Sequence, residues 1–134
     1  MSIPENGHAD LHDEQVRSDL ARVVLELLNR WGLSASEQVE LLGLQDEGPT
    51  AIDQLSRGEV VLPDSPVMLA RVGNLLAIHK GLRLLFPENE DIRFGWVRMC
   101  NSRLDGEAPL TIMLRDGVDG LLRVRSIVDA SLSA

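Results

Sequence analysis

The sequence predicts an all-α fold of about seven helices, and three observations carry that reading. Apolar residues recur at steps of three and four through most of the chain. The periodic stretches are closed by helix-stopping residues, Gly32, Gly43, Gly58, Pro87 and Gly117. No segment alternates with the period of two that a half-buried strand requires. Glu59-Val-Val-Leu62 comes nearest, but it is short and abuts Pro63.

The elements follow in order. Residues 1–10 are polar, contain Pro4 and Gly7, and are expected to form a disordered tail. From Asp13 a long amphipathic helix places Val16, Leu20, Val23, Val24, Leu27, Leu28 and Trp31 inward and ends at Gly32. Ser34 and Glu37 have capping-box spacing, so a short helix opens there, buries Val39, Leu41 and Leu42, and stops at Gly43. The polar turn 45–48 leads to Pro49, well placed in the first turn of a helix reaching Ser56, with Ala51, Ile52 and Leu55 inward. Pro63 and Pro66 bracket a loop. A helix of about five turns then runs from Pro66 to Phe86, with Leu69, Val72, Leu75, Leu76, Leu82 and Leu85 inward, and Pro87 stops it.

Glu88, Glu90 and Asp91 give the next helix an acidic start suited to the helix dipole, and Ile92, Trp96, Val97 and Met99 are its packing residues. A loop over 101–108 delivers Pro109 to a short apolar helix, Leu110 to Leu114, which Asp116-Gly117 breaks. The last helix, from about Val118 to Leu132, buries Leu121, Leu122, Val124, Ile127 and Val128.

Composition narrows the function. The chain has 134 residues, and Leu alone fills 23 positions, enough for a core without disulfide or metal staples. Two Trp, two Phe and no Tyr exclude a base-stacking platform as the main function. A single Cys excludes an internal disulfide framework and a thiolate zinc site. A formal net charge of −8 disfavours general polyanion binding. The N-terminus lacks the basic and apolar regions of a secretory signal, and no apolar run is long enough to span a bilayer, so a cytoplasmic protein is expected.

Little in the chain points to catalysis. His8 and His12, flanked by Asp10 and Asp13, have spacing that can chelate a metal, but a solvated tail explains them better. Cys100 and His79 offer a nucleophile and a base without a third orienting group; a small buried thiol and an ordinary helix histidine account for them. Neither nucleotide-binding glycine motif occurs. No enzyme, no cofactor and no metal site are expected.

The short helices at 35–42 and 49–57, joined by a turn containing Gly43, have the plan of a helix-turn-helix. Thr50 and Gln54 lie one turn apart and would reach base edges, with Arg57 on a phosphate. Asp46, Glu47, Asp53 and Glu59 surround that single arginine and argue against tight binding to operator DNA.

Several motifs, taken in order, resemble one family. Trp31-Gly-Leu-Ser34, Val39-Glu-Leu-Leu-Gly43, Leu69-Ala-Arg71 and Leu82-Arg-Leu-Leu-Phe86 resemble the Xre-like helix-turn-helix half of the Xre/MbcA/ParS antitoxins. Trp96, Asn101, Leu104, Gly106, Pro109, Leu110 and Gly117 resemble that family's toxin-binding half. The resemblance implies a helix-turn-helix module over 11–86 and a toxin-binding module over 87–134. It also implies an antitoxin that occludes the active site of an NAD-consuming RES-domain toxin and represses its own operon. A homodimer is expected, since helix-turn-helix repressors read half-sites about one DNA turn apart and a small Leu-rich domain has apolar surface to spare. The turn at 45–49 is longer and more acidic than is usual in the family, and Cys100 stands where a Pro commonly precedes the matched Asn.

Most of the motif positions are expected to shape the domain: Trp96 and Leu110 as core, Gly106 and Gly117 as turns, Pro109 as a helix start. The toxin contact is expected on the exposed side of the final helix and the residues around it, at Arg115, Arg123, Arg125, Leu132 and Ser133. Arg123 and Arg125 do not share one helix stripe, so at most one faces a given surface. A stand-alone Xre-like transcriptional regulator is the alternative function.

Overall fold

Residues 12–48 and 50–133 are described by the structure, a computed structural model. The expected tail, with His8 and Asp10, and the placing of Pro49 at a helix start lie outside these residues. Among them are seven α-helices, three single 3-10 turns and no strand.

Helix α1 (Glu14–Arg30) begins at Asp13, whose carboxylate accepts the amide of Gln15 at 2.8 Å. It buries Ala21, Val24, Leu25 and Leu28, with Trp31 at its end. Helix α2 (Ala35–Leu42) carries the full capping box: Ser34 Oγ accepts from the Glu37 amide at 3.1 Å, and Glu37 Oε1 accepts from the Ser34 amide at 2.9 Å. Gly43 closes it in the left-handed conformation, φ 68°. After a 3-10 turn at Gln45–Glu47 comes helix α3 (Ala51–Ser56), which has fewer than two turns.

Helix α4 (Pro66–Leu85) has Pro66 in its first turn and Ser65 Oγ accepting the Met68 amide at 3.1 Å. Helix α5 (Glu90–Gly95) passes into a 3-10 turn at Trp96–Arg98, and a second such turn occupies Ser102–Leu104. Helices α6 (Pro109–Asp116) and α7 (Val118–Ser133) are separated by Gly117 alone.

One core joins all of this. Helix α4 lies along α7, α6 packs on α7, α1 holds α3, and α2 touches α3, α4 and α6. Leu28, Leu41, Leu75, Leu82, Leu121 and Val124 are fully buried in a single cluster. No helix among the described residues is long and apolar enough to cross a membrane.

The structure corrects several placements. Val23 and Leu122 were expected inside but are 52% and 47% exposed. Each neighbours a buried residue, Val24 or Leu121, and one residue is a 100° rotation, enough to leave a narrow stripe. The helix after Pro87 is cut to six residues, because Arg98 draws the chain onto the end of α1, donating to Trp31 O at 2.9 Å and Gly32 O at 2.7 Å. Met99 therefore leaves the helix extended and exposed, and Cys100 is exposed rather than buried. Trp96, expected in the core, is half-buried at its edge.

Candidate functional site

The loop between the 3-10 turns and α6 is organised by Asn101. Its Oδ1 accepts the Arg103 amide at 2.9 Å, its carbonyl accepts the amides of Leu104 and Gly106 at 3.0 Å, and its own amide donates to Glu107 O at 3.1 Å. This closure drives Leu104 wholly into the core and requires consecutive left-handed residues, Asp105 (φ 57°) and Gly106 (φ 84°). Pro109 then starts α6 and is itself buried, next to Leu110. Gly117, at φ 61° and ψ −133°, turns the chain at once into α7. Six of the seven motif residues thus shape the domain from buried or turn positions, and Trp96 lies at its rim.

The three arginines marked as toxin contacts point three ways. Arg115 bonds both oxygens of Glu107 at 3.0 Å and Asp116 Oδ1 at 3.1 Å, and these bonds, Asp116 first, hold its proton more firmly than usual. Arg123 lies 3.7 Å from the largely exposed Asp105. Arg125 crosses to α4, donating to Asn74 Oδ1 at 3.0 Å, with Asp129 at 3.7 Å. Arg123 and Arg125 therefore face different neighbours. Arg115 is the most compensated of the three, so it has least to offer a partner's anion.

Arg125 has company that the sequence did not single out. A groove of about 200 Å³ between α4 and α7 is lined by Lys80, Gly81, Leu84, Arg125, Asp129 and Leu132. Leu84 is 62% exposed and Leu132 40%. Lys80 makes no ion pair among the described residues. Ser133 closes α7 with its hydroxyl on Asp129 O at 3.2 Å. Two leucines and two cations thus share one rim, the mixture of apolar body and charged edge that protein partners use.

The helix-turn-helix candidate looks different. Thr50 and Arg57 are exposed at the two ends of α3, while Gln54 is half-buried against a cleft containing Leu44, Leu55 and Val60. Arg57 lies 3.6 Å from Glu59, so the one cation of this face is already offset. Among the described residues no group of three or more His, Cys, Asp or Glu could hold a metal ion; His12 bonds Asp64 at 2.8 Å, and His79 stacks on Phe94.

Residues 81–131, which hold the last five residues of α4, α5, the Asn101 loop, α6 and nearly all of α7, match the family described as the antitoxin Xre/MbcA/ParS C-terminal toxin-binding domain. The chain belongs to the Xre/MbcA/ParS antitoxin family. It is also 36% identical over 119 residues to the uncharacterized protein y4oB of Sinorhizobium fredii, a match covering 84% of this chain and 88% of the relative. The antitoxin's partner is accordingly a toxin protein. Leu84 and Arg125 of the groove lie inside the matched segment, and Lys80 and Leu132 stand one residue beyond its two ends.

Proposed function

We propose that this antitoxin neutralises an NAD-consuming RES-domain toxin by steric occlusion, with the α4–α7 groove as the principal contact. The observation that carries this reading is the exposed pair Leu84 and Leu132 flanked by Lys80 and Arg125, two of them inside the matched toxin-binding segment and two directly beside its ends. A cation beside an apolar seat suits a pocket shaped for an anionic dinucleotide, since guanidinium offers fixed, paired donors. Ser133 adds to the same rim, Arg123 and Arg115 would meet the toxin outside the groove, and the chain contributes no chemistry of its own.

The helix-turn-helix module over 11–86 supplies the homodimer and operator contact through Thr50, Gln54 and Arg57. The acidic surroundings of α3 make that contact weak and strongly salt-dependent. The boundary near Pro87 is one of covalent order more than of packing, because α4 serves both modules.

Co-expression with the product of the adjacent reading frame, followed by pull-down, growth rescue and an NAD-hydrolysis assay, tests the proposal. A stable complex with suppressed NAD loss supports it. A complex with a toxin that leaves NAD untouched removes the RES assignment. Absence of any complex, together with tight promoter binding, replaces it with the stand-alone regulator.

A further inference from the structure

A second cleft lies on the other side of α4, between α1, α4 and α5. It has a volume of about 230 Å³ and is lined by Val23, Leu27, Leu76, His79 and Phe94, together with the paired charges of Glu26 and Arg30. The Phe94 ring stacks with His79 at 5.6 Å, and the guanidinium carbons of Arg30 and Arg93 stand 5.0 and 5.3 Å from its centroid. Arg30 is offset by Glu90 at 3.0 Å and Glu26 at 3.8 Å. Arg83 and Arg93 have no carboxylate partner among the described residues. Two buried nitrogens here, His79 Nδ1 and Arg93 Nε, have no hydrogen-bond partner among the described residues. In a chain of net charge −8, unspent cations and donors on one face call for an acidic ligand.

We propose that this cleft is a second contact site of the toxin complex, taking an acidic side chain of the toxin with an apolar neighbour seated on Val23, Leu76 and Phe94. The proposal rests on the antitoxin reading above. Two observations favour the toxin as occupant. Arg83, Arg93 and Phe94 fall inside the matched toxin-binding segment. Helical rotation also sets Lys80 between Leu76 and Leu84 on the surface of α4, so the two clefts flank one ridge and a single partner can span both. Val23 is the exception of interest, since it belongs to α1, outside the matched segment, and is 52% exposed. That exposure, unexplained by the core, acquires a purpose if the toxin covers it.

The test uses the full chain and the co-expressed toxin, with affinity measured calorimetrically at two salt concentrations. Val23→Asp and Arg83→Glu both alter exposed side chains, and thermal melts confirm that the variants fold. Each is expected to weaken binding ten-fold or more, and Arg83→Glu also to flatten the salt dependence. If both bind as the wild type does, while an Arg125→Ala/Leu132→Ala variant loses affinity, the cleft proposal falls and the antitoxin reading stands. If Val23→Asp converts a homodimer to monomers without changing toxin affinity, the face belongs to a second copy, which also overturns the proposal. If the wild type binds no toxin, both readings fall together.

Discussion

Gly81 of α4 and Val128 of α7 approach so closely that a β-carbon on Gly81 would overlap the Val128 side chain. Gly120 makes the same kind of approach, with the Ile112 carbonyl of α6 in the way of any side chain. These two contacts let α7 lie flush on α4 and α6, and so set the floor of the α4–α7 groove.

Gly81→Ala is therefore expected to destabilise the fold by about 1–3 kcal/mol through overpacking, despite alanine's better helix propensity. Gly120→Ala should cost more, because a backbone carbonyl cannot rotate aside as a side chain can. Urea denaturation of both variants checks the order. Adding Val128→Ala should recover part of the Gly81→Ala loss and none of the Gly120→Ala loss, since only the first pair is in contact.

Arg71 ties α4 to the end of α2. Its Nη1 donates to Leu41 O at 3.0 Å at the end of α2, and its guanidinium occupies the space where a Gly43 side chain would stand, 2.9 Å away. A cation on the free carbonyls of a helix C-terminus is favourable on both dipole and hydrogen-bond grounds. Arg71→Met should cost about 1.5–3 kcal/mol, the range for a hydrogen bond involving a charged group. Gly43→Ala should also destabilise, because it combines a left-handed backbone with a clash against Arg71. Equal denaturation midpoints for wild type and Arg71→Met would contradict this.

Local devices were legible in the sequence; distant partnerships were not. The capping box at Ser34 and Glu37, Pro66 and Pro109 at helix starts, and the turn glycines Gly43 and Gly117 act within a few residues, so spacing alone places them. Arg17 shows the opposite case. It is buried, with Nε on Leu62 O at 2.9 Å and Nη1 on His12 O at 2.7 Å, and no periodicity argument puts an arginine inside. The candidate site divides in the same way. The motif around Asn101 is a contiguous loop and could be matched by residue order. The α4–α7 groove exists only once two helices some forty residues apart are laid together, which is why Lys80 and Leu84 gave no signal.

The capping box offers a clean local test. Ser34→Ala removes the acceptor of the Glu37 amide, and the expected loss is about 1 kcal/mol, within the 0.5–2 seen for such caps. Glu37→Gln should cost less, because a glutamine oxygen still accepts the Ser34 amide. Arg98, 3.7 Å from Glu37 and exposed, adds little to that difference. Thermal melts of the two variants at one pH separate the cap from the charge; a larger loss for Glu37→Gln would reverse the assignment.

His79 makes stability depend on pH in a predictable direction. Burial, and then the positive charges of Arg83, Arg93 and Arg30, hold its imidazole below the ordinary value of 6.5, so it is neutral in the folded protein at pH 7. The unfolded chain has no such environment and takes up a proton first as the solution is acidified. Between the ordinary value and the lowered one the unfolded state thus binds more protons, and stability falls with falling pH across that window. The contribution is complete above about pH 7 and levels off once the folded protein is protonated too. Asp64, whose carboxyl the His12 hydrogen bond holds below its usual 3.8, titrates further down and leaves this window unaffected. His79→Gln cannot titrate, so its urea midpoint should be flatter than the wild type's between pH 7.5 and about 5.5. Parallel curves for the two proteins would mean that His79 is solvated in the folded chain and that the arginines around Phe94 do not act on it.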